Sequence, residues 1–229
     1  MTGNDDEDVP IRVDFRDPAT ARSWIEDTRI RRPYRPRFFA AFCAALASRQ
    51  KLRILELGSG PGQLAREILS HCDVRTYFAL DFSAAMHEIA AEHLGELASS
   101  VSFVIRDFRE GAWPKGLGEF DAIVTLQAAH ETRHKRHLVP LLERARTLLA
   151  PGGILLYADH YLTPETKLPA LAPARDDQPL ALERAGFVDV QLQYEEGNMA
   201  LWAVSGRVDP RKSGPGESGR ELAQGGAPG

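Results

Sequence analysis

Cysteine is scarce in this chain. Its 229 residues hold two, Cys43 and Cys72, with no C-x-x-C pair. That excludes a disulfide scaffold and a thiolate zinc site. Long apolar runs are also missing. None approaches the ~18 residues that a membrane-spanning helix needs. Charge of one sign is not in excess: 28 Lys and Arg stand against 32 Asp and Glu, a net charge of -4. Bulk electrostatics therefore favour neither DNA nor an anionic membrane. The opening stretch MTGNDDEDVP is acidic, the opposite of a signal or transit peptide, so the expected setting is cytoplasmic and reducing.

What is present is ordinary globular composition, 43% hydrophobic and 26% charged, with irregular ends. Residues 1–10 are expected to be disordered, as is the Gly-, Pro- and Ser-rich stretch from Arg207 to the end. Residues 11–50 read as a helical cap segment and 51–206 as one domain. Helices are expected at 17–26, capped by Asp17 with Pro18 at the first position, and at 37–48. Apolar strands at 52–58, 74–81, 101–107, 120–127 and 153–159 alternate with helices at 63–72, 83–98 and 137–149. That alternation means a parallel sheet covered on both faces. A late helix at 178–185 precedes strands at 187–194 and 199–206, joined by only about four residues and so antiparallel.

Ligands bind such sheets at the carboxyl ends of the strands. Four features fall there. ELGSGPG, Glu56 to Gly62, follows the first strand; its glycines admit a ligand to the backbone, and the next helix offers free N–H groups. Asp81 ends the second strand, where a carboxylate takes the hydroxyls of a ribose. Asp107 and Phe108 end the third, a carboxylate beside an aromatic that suits an adenine. Gln127 to His130, QAAH, ends the fourth, where a reacting group would lie.

These motifs resemble the class I S-adenosylmethionine-dependent methyltransferases over about residues 37–206. ILELGSGPG matches the family's E/D-x-G-x-G-x-G, LDFSAAM its D-x-S-x-x-M, LLAPGGILLYAD its L-x-P-G-G-x-L, and LERAGFVDVQL its late helix and strand. The resemblance implies a three-layer Rossmann-like α/β fold, with a seven-stranded sheet in order 3-2-1-4-5-7-6 and strand 7 antiparallel. It implies S-adenosylmethionine as cofactor. Gly58, Gly60 and Gly62 would line the methionine part, and Glu56 would orient the loop or meet the amino group through water. Asp81 would bind the ribose, Phe82 and Met86 would pack near the adenine, Asp107 would accept from its amino group, and Gln127 would lie near the sulfur. The position after the fourth strand faces the transferring methyl, which makes His130 the candidate base or acceptor contact. Asp159, His160 and Tyr161 follow the fifth strand and are expected to face the acceptor.

Rival readings remain. A dinucleotide site needs G-x-G-x-x-G, but Gln63 holds the rival's third place. Asp107 has the alternative of pairing with Arg106 or Arg109. HETRH, residues 130–134, matches the H-E-x-x-H zinc signature, which requires both histidines on one continuous helix. A helix starting near Arg133 or later breaks that requirement, so no metal is expected, and His134 and His137 are expected to be solvated. The run RIRRPYRPR, residues 29–37, reads as a solvated linker, with RNA phosphates as the alternative. Its prolines and Tyr34 suggest a segment closing over the site. Within the family the absence of N/D-P-P-Y/F disfavours nucleic-acid amines. The expected activity is methyl transfer to a small-molecule acceptor, with a non-catalytic cofactor-binding subunit or an RNA methyltransferase as alternatives.

Overall fold

The computed structural model describes residues 7–206. Expectations placed on residues 1–6 and 207–229 lie outside it. Seven strands form one sheet: β1 (Leu52–Leu57), β2 (Val74–Asp81), β3 (Val101–Ile105), β4 (Phe120–Leu126), β5 (Leu149–His160), β6 (Val188–Glu196) and β7 (Met199–Ser205). Their order is β3-β2-β1-β4-β5-β7-β6. The first five pair in parallel, while β7 runs antiparallel to both β5 and β6. The fold is therefore the one the alternating pattern and the short last hairpin imply.

Six helices accompany the sheet: α1 (Pro18–Arg31), α2 (Arg35–Leu46), α3 (Gln63–His71), α4 (Ala84–Leu94), α5 (Leu138–Arg146) and α6 (Asp177–Arg184). Asp17 caps α1 as its sequence requires, accepting from the Thr20 amide at 2.7 Å. The helix runs on to Arg31, beyond the expected end at residue 26. The fifth strand starts earlier than expected, because Leu149 already pairs with Phe120 before Pro151-Gly152-Gly153 bulges out. Apolar side chains pack on both faces of the sheet. Trp113, Phe120 and Tyr157 anchor one core, and Phe38, Phe42 and Tyr77 the other.

A third, smaller cluster positions the site. Phe15, ahead of α1, packs with Ala21, Met86 and Ile89, and the Ser83 hydroxyl donates to the Phe15 carbonyl. Burying one phenylalanine contributes about 2 kcal/mol. The N-terminal segment is thus strapped to α4 and lies over the carboxyl ends of the strands. Residues of the acidic stretch take part: the Val9 amide donates to the Arg133 carbonyl at 2.9 Å, and Asp8 pairs with Arg136 and His137.

Candidate active site

The loop after β1 is set by three glycines in the left-handed region, Gly58, Gly60 and Gly62, at φ 69°, 49° and 73°. At Gly58 a Cβ would stand 2.3 Å from the Ala128 Cβ, so only glycine lets the β1 and β4 ends approach. At Gly60 nothing lies within 4 Å, which leaves the backbone open to a ligand. The Asp81 carboxylate accepts from the Gly60 amide at 2.8 Å and the Ser83 amide at 3.0 Å, tying the ends of β1 and β2 together. Burial pushes its pKa up, against the backbone donors that favour the charged form. Glu56 lies beneath the loop, 3% exposed, and accepts from the Tyr77 hydroxyl at 2.8 Å. Burial lifts its pKa to about 8.

Gly58, Gly60, Asp81, Phe82, Met86, Phe108 and Gln127 line a single cavity of about 60 Å³. Asp107 and His130 line a neighbouring one of about 190 Å³. Glu56 and Gly62 line neither. Phe15 and Trp24 help to wall the first cavity, and neither was singled out from the sequence. The signal available there was two aromatics in an otherwise polar stretch.

Asp107 takes the second of its two expected arrangements. Arg109 donates to both carboxylate oxygens, Nε at 2.9 and 3.0 Å, while Arg106 turns away to the Trp113 and Lys115 carbonyls. Burial alone would raise the Asp107 pKa, but the Arg109 hydrogen bonds and charge bring it below its ordinary value. Arg16 and Arg109 both lie over the Phe82 ring, 4.9 and 5.8 Å from its centroid.

HETRH does not form one helix. His130 sits in a 3₁₀ turn, Ala129–Thr132, and Arg133 is left-handed at φ 73°. The two histidines therefore serve different elements. His134 is not solvated as expected: it is 5% exposed, and its Nδ1 accepts from the Arg136 amide at 3.0 Å, closing the next turn. His137 is partly exposed beside Asp8.

His130 faces the end of β5. Its Nδ1 donates to Asp159 Oδ1 at 2.8 Å, and its backbone amide donates to Oδ2 at 3.1 Å. Asp159 is 2% exposed, and the His160 amide also donates to it at 2.7 Å. Burial would lower the His130 pKa. The charge and hydrogen bond of Asp159, with Glu131, outweigh it and hold the imidazole above its ordinary value. Asp159 moves the opposite way: burial raises it, and His130 brings it below the usual carboxylate range. The pair thus favours a proton on Nδ1, while Nε2 lies 3.5 Å from the Glu131 carboxylate.

Gln127 is a non-glycine residue at φ 53°, a costly conformation held by its surroundings. Its Nε2 donates to the Tyr34 hydroxyl at 3.1 Å and to His160 Nε2 at 2.8 Å, and its Oε1 accepts from Arg32 at 3.2 Å. Arg32, Tyr34 and Arg35 of the basic run are therefore folded into the site, whereas Arg29, Arg31 and Arg37 stay exposed. Arg35 donates to Gln63 Oε1 at 3.0 Å, while its Nε is buried with no partner among the described residues. Burial lowers its pKa to about 10.

A seven-stranded sheet of this order, with a glycine loop after β1 and a carboxylate after β2, defines the Rossmann-like methyltransferase class. The family model described as a methyltransferase domain matches residues 54–153. The hybrid PKS-NRPS synthetase apdA of Emericella nidulans is 35% identical over 107 residues, 45% of this chain and 3% of the synthetase. The fold is that of the CurJ carbon methyltransferase, at TM-score 0.59 and 20% identity over 69% of this chain and 49% of that one. It is also that of human N-acetylserotonin methyltransferase, solved in complex with S-adenosylmethionine, at TM-score 0.60 and 19% identity over 83% and 57%. The chain thus spans a small fraction of the synthetase and about half of these two structures. Residues 54–153 thus match a methyltransferase domain, and the fold is that of these methyltransferases.

Proposed function

We propose that the chain transfers a methyl group from S-adenosylmethionine to a small-molecule acceptor, with His130 as base. The observation that carries this reading is the 2.8 Å contact of His130 Nδ1 with the buried Asp159, which leaves Nε2 basic. The residues around the glycine loop suit the cofactor. The unpartnered Nε of Arg35 and the amides opening α3 suit an anionic methionine carboxylate. Glu56 suits its amino group. Asp81 has lone pairs left for ribose hydroxyls beyond the two amides it accepts from. Phe82, Met86 and Phe108 offer apolar contact to the adenine, and Gln127 lies on the way to the acceptor. Asp107 meets the adenine amino group only with an oxygen shared with Arg109.

When bound, the cofactor supplies a methyl on positive sulfur, open to in-line displacement. Asp159 holds the His130 ring and its tautomer, and His130 Nε2 removes the acceptor's proton. Phe15 and Trp24 exclude water from the cofactor side. Ligand pockets start near ~300 Å³, so the strap must lift for a molecule of this size to enter. The contacts of Arg32 and Tyr34 with Gln127 commit part of the basic run to the site, which favours a small acceptor over RNA. The two free thiols support a cytoplasmic setting, and no helix among the described residues is long and apolar enough to cross a membrane.

Calorimetric titration with S-adenosylmethionine and S-adenosylhomocysteine, with NADH as control, tests this reading. Both methyl-cofactor forms are expected to bind, NADH is not, and Asp81→Ala is expected to weaken binding at least ~10-fold by losing a charge-assisted hydrogen bond. Absence of binding in the wild type would contradict the proposal.

A further inference from the structure

We propose that Arg32 is a second catalytic residue, whose guanidinium takes the negative charge left on the acceptor's oxygen when His130 removes its proton. The acceptor is then an acid whose conjugate base is an oxyanion: a phenol or an enolisable carbonyl compound. This rests on the reading of His130 as base.

Arg32, His130 and His160 line one cleft of about 830 Å³, roomy enough for an acceptor. Arg32 does not line the cofactor cavity. Two other donors of the cleft, on His160 and Tyr161, are committed. His160 Nδ1 donates to Asn198 Oδ1 at 3.1 Å, and its Nε2 accepts from Gln127. The Tyr161 hydroxyl donates to the Gly197 carbonyl at 2.8 Å. Lys167 is exposed at the rim.

Arg32 is different. Arg22, Arg37, Arg109 and Arg175 each pair with a carboxylate, but Arg32 has none among the described residues. It is half-buried and held in place without one. Its amide donates to the Thr28 carbonyl at 2.9 Å, its Nη1 donates to Gln127 Oε1, and its guanidinium lies over the Trp24 ring at 5.6 Å. A guanidinium carries five N–H groups, so this anchoring leaves donors for an oxyanion. A positioned cation beside the acceptor is well placed to stabilise charge that develops during reaction.

The step balances within the acceptor. The proton moves from its O–H or C–H to His130 Nε2, and the electron pair is left on, or delocalised to, the oxygen facing Arg32. The charged and titratable groups facing His130 are Asp159, Glu131, Arg32 and His160. Of these, Asp159 and Glu131 raise its pKa, while Arg32 lowers it. Loss of the Arg32 charge therefore carries a signature beyond rate: the His130 pKa must rise.

The test uses the full chain saturated with S-adenosylhomocysteine and two probes. One is the N-acetylcysteamine thioester of acetoacetate, followed by NMR for exchange of its α-protons in D₂O. The other is 4-nitrophenol, followed by its phenolate absorbance. Wild type is expected to speed the exchange or enrich the bound phenolate, and the responding probe identifies the acid type. Arg32→Gln should lower that response by about 10²-fold, with S-adenosylhomocysteine affinity largely kept and the His130 pKa raised. Arg32→Lys, which keeps the charge, should recover part of it. An Arg32→Gln response equal to wild type, with His130→Ala inactive, would overturn the proposal and leave the base reading standing. Wild-type response in His130→Ala would overturn both. No ionisation of either probe by wild type would overturn the acceptor class.

Discussion

The two halves of the site are built on different plans. The cofactor side is made of backbone: three left-handed glycines, the amides of Gly60 and Ser83 on Asp81, and the opening of α3. These lie between residues 58 and 83, although the cavity walls Phe15, Trp24 and Phe108 come from farther away in the chain. The proposed acceptor side is made of side chains from distant places: Arg32 and Tyr34 before α2, Gln127 and His130 after β4, Asp159 and His160 at the end of β5, and Asn198 in the last hairpin. Only the fold brings them together. The first plan fixes one ligand shape.

That comparison can be broken at its backbone end. Gly58→Ala is the largest structural perturbation expected. A left-handed alanine costs about 1–2 kcal/mol, and overpacking against Ala128 adds about 1–3 kcal/mol. Thermal melting should show the loss, and S-adenosylhomocysteine binding should fail in whatever remains folded. A Gly58→Ala chain that melts and binds like wild type would mean that β1 and β4 do not close as described.

A smaller effect separates function from stability. Glu56 keeps its proton in the folded chain up to about pH 8, whereas its ordinary value is 4.5. Between those values the folded state binds the extra proton, so stability falls as pH rises, and the penalty is complete above pH 8. Glu56→Gln keeps an acceptor for Tyr77 and removes the penalty. It should stabilise the chain by about 1 kcal/mol or more at pH 8.5 and by little at pH 5, read as the difference in melting temperature. A gain at pH 5 equal to that at pH 8.5 would contradict the buried acid.

The same contrast explains what the sequence revealed. Strand and helix alternation, the Gly-rich turn and the short last hairpin are local signals, and the sheet order and the loop could be read from them. Asp81 was legible because it ends a strand beside that loop. His130 was legible by position, but its partner was only one of three residues noted after the fifth strand. The polar residues 133–137 misled about His134, whose burial is a tertiary outcome that a local charge pattern does not reveal. The arginine run looked like a solvated linker because its charges are conspicuous, whereas the polar groups that hold them, Gln63 and Gln127, lie far along the chain. Phe15 and Trp24 were missed for the same reason: their packing partners are on α4.

The most direct test of the account is NMR titration of the His130 imidazole, with wild type beside Asp159→Asn. The account predicts an Nδ1-protonated ring with a pKa above the ordinary 6.5, and a fall in that pKa when the carboxylate is removed, with loss of the fixed tautomer. A ring titrating at or below 6.5, unmoved by Asp159→Asn, would contradict the His130–Asp159 pair as the base of this methyltransferase domain.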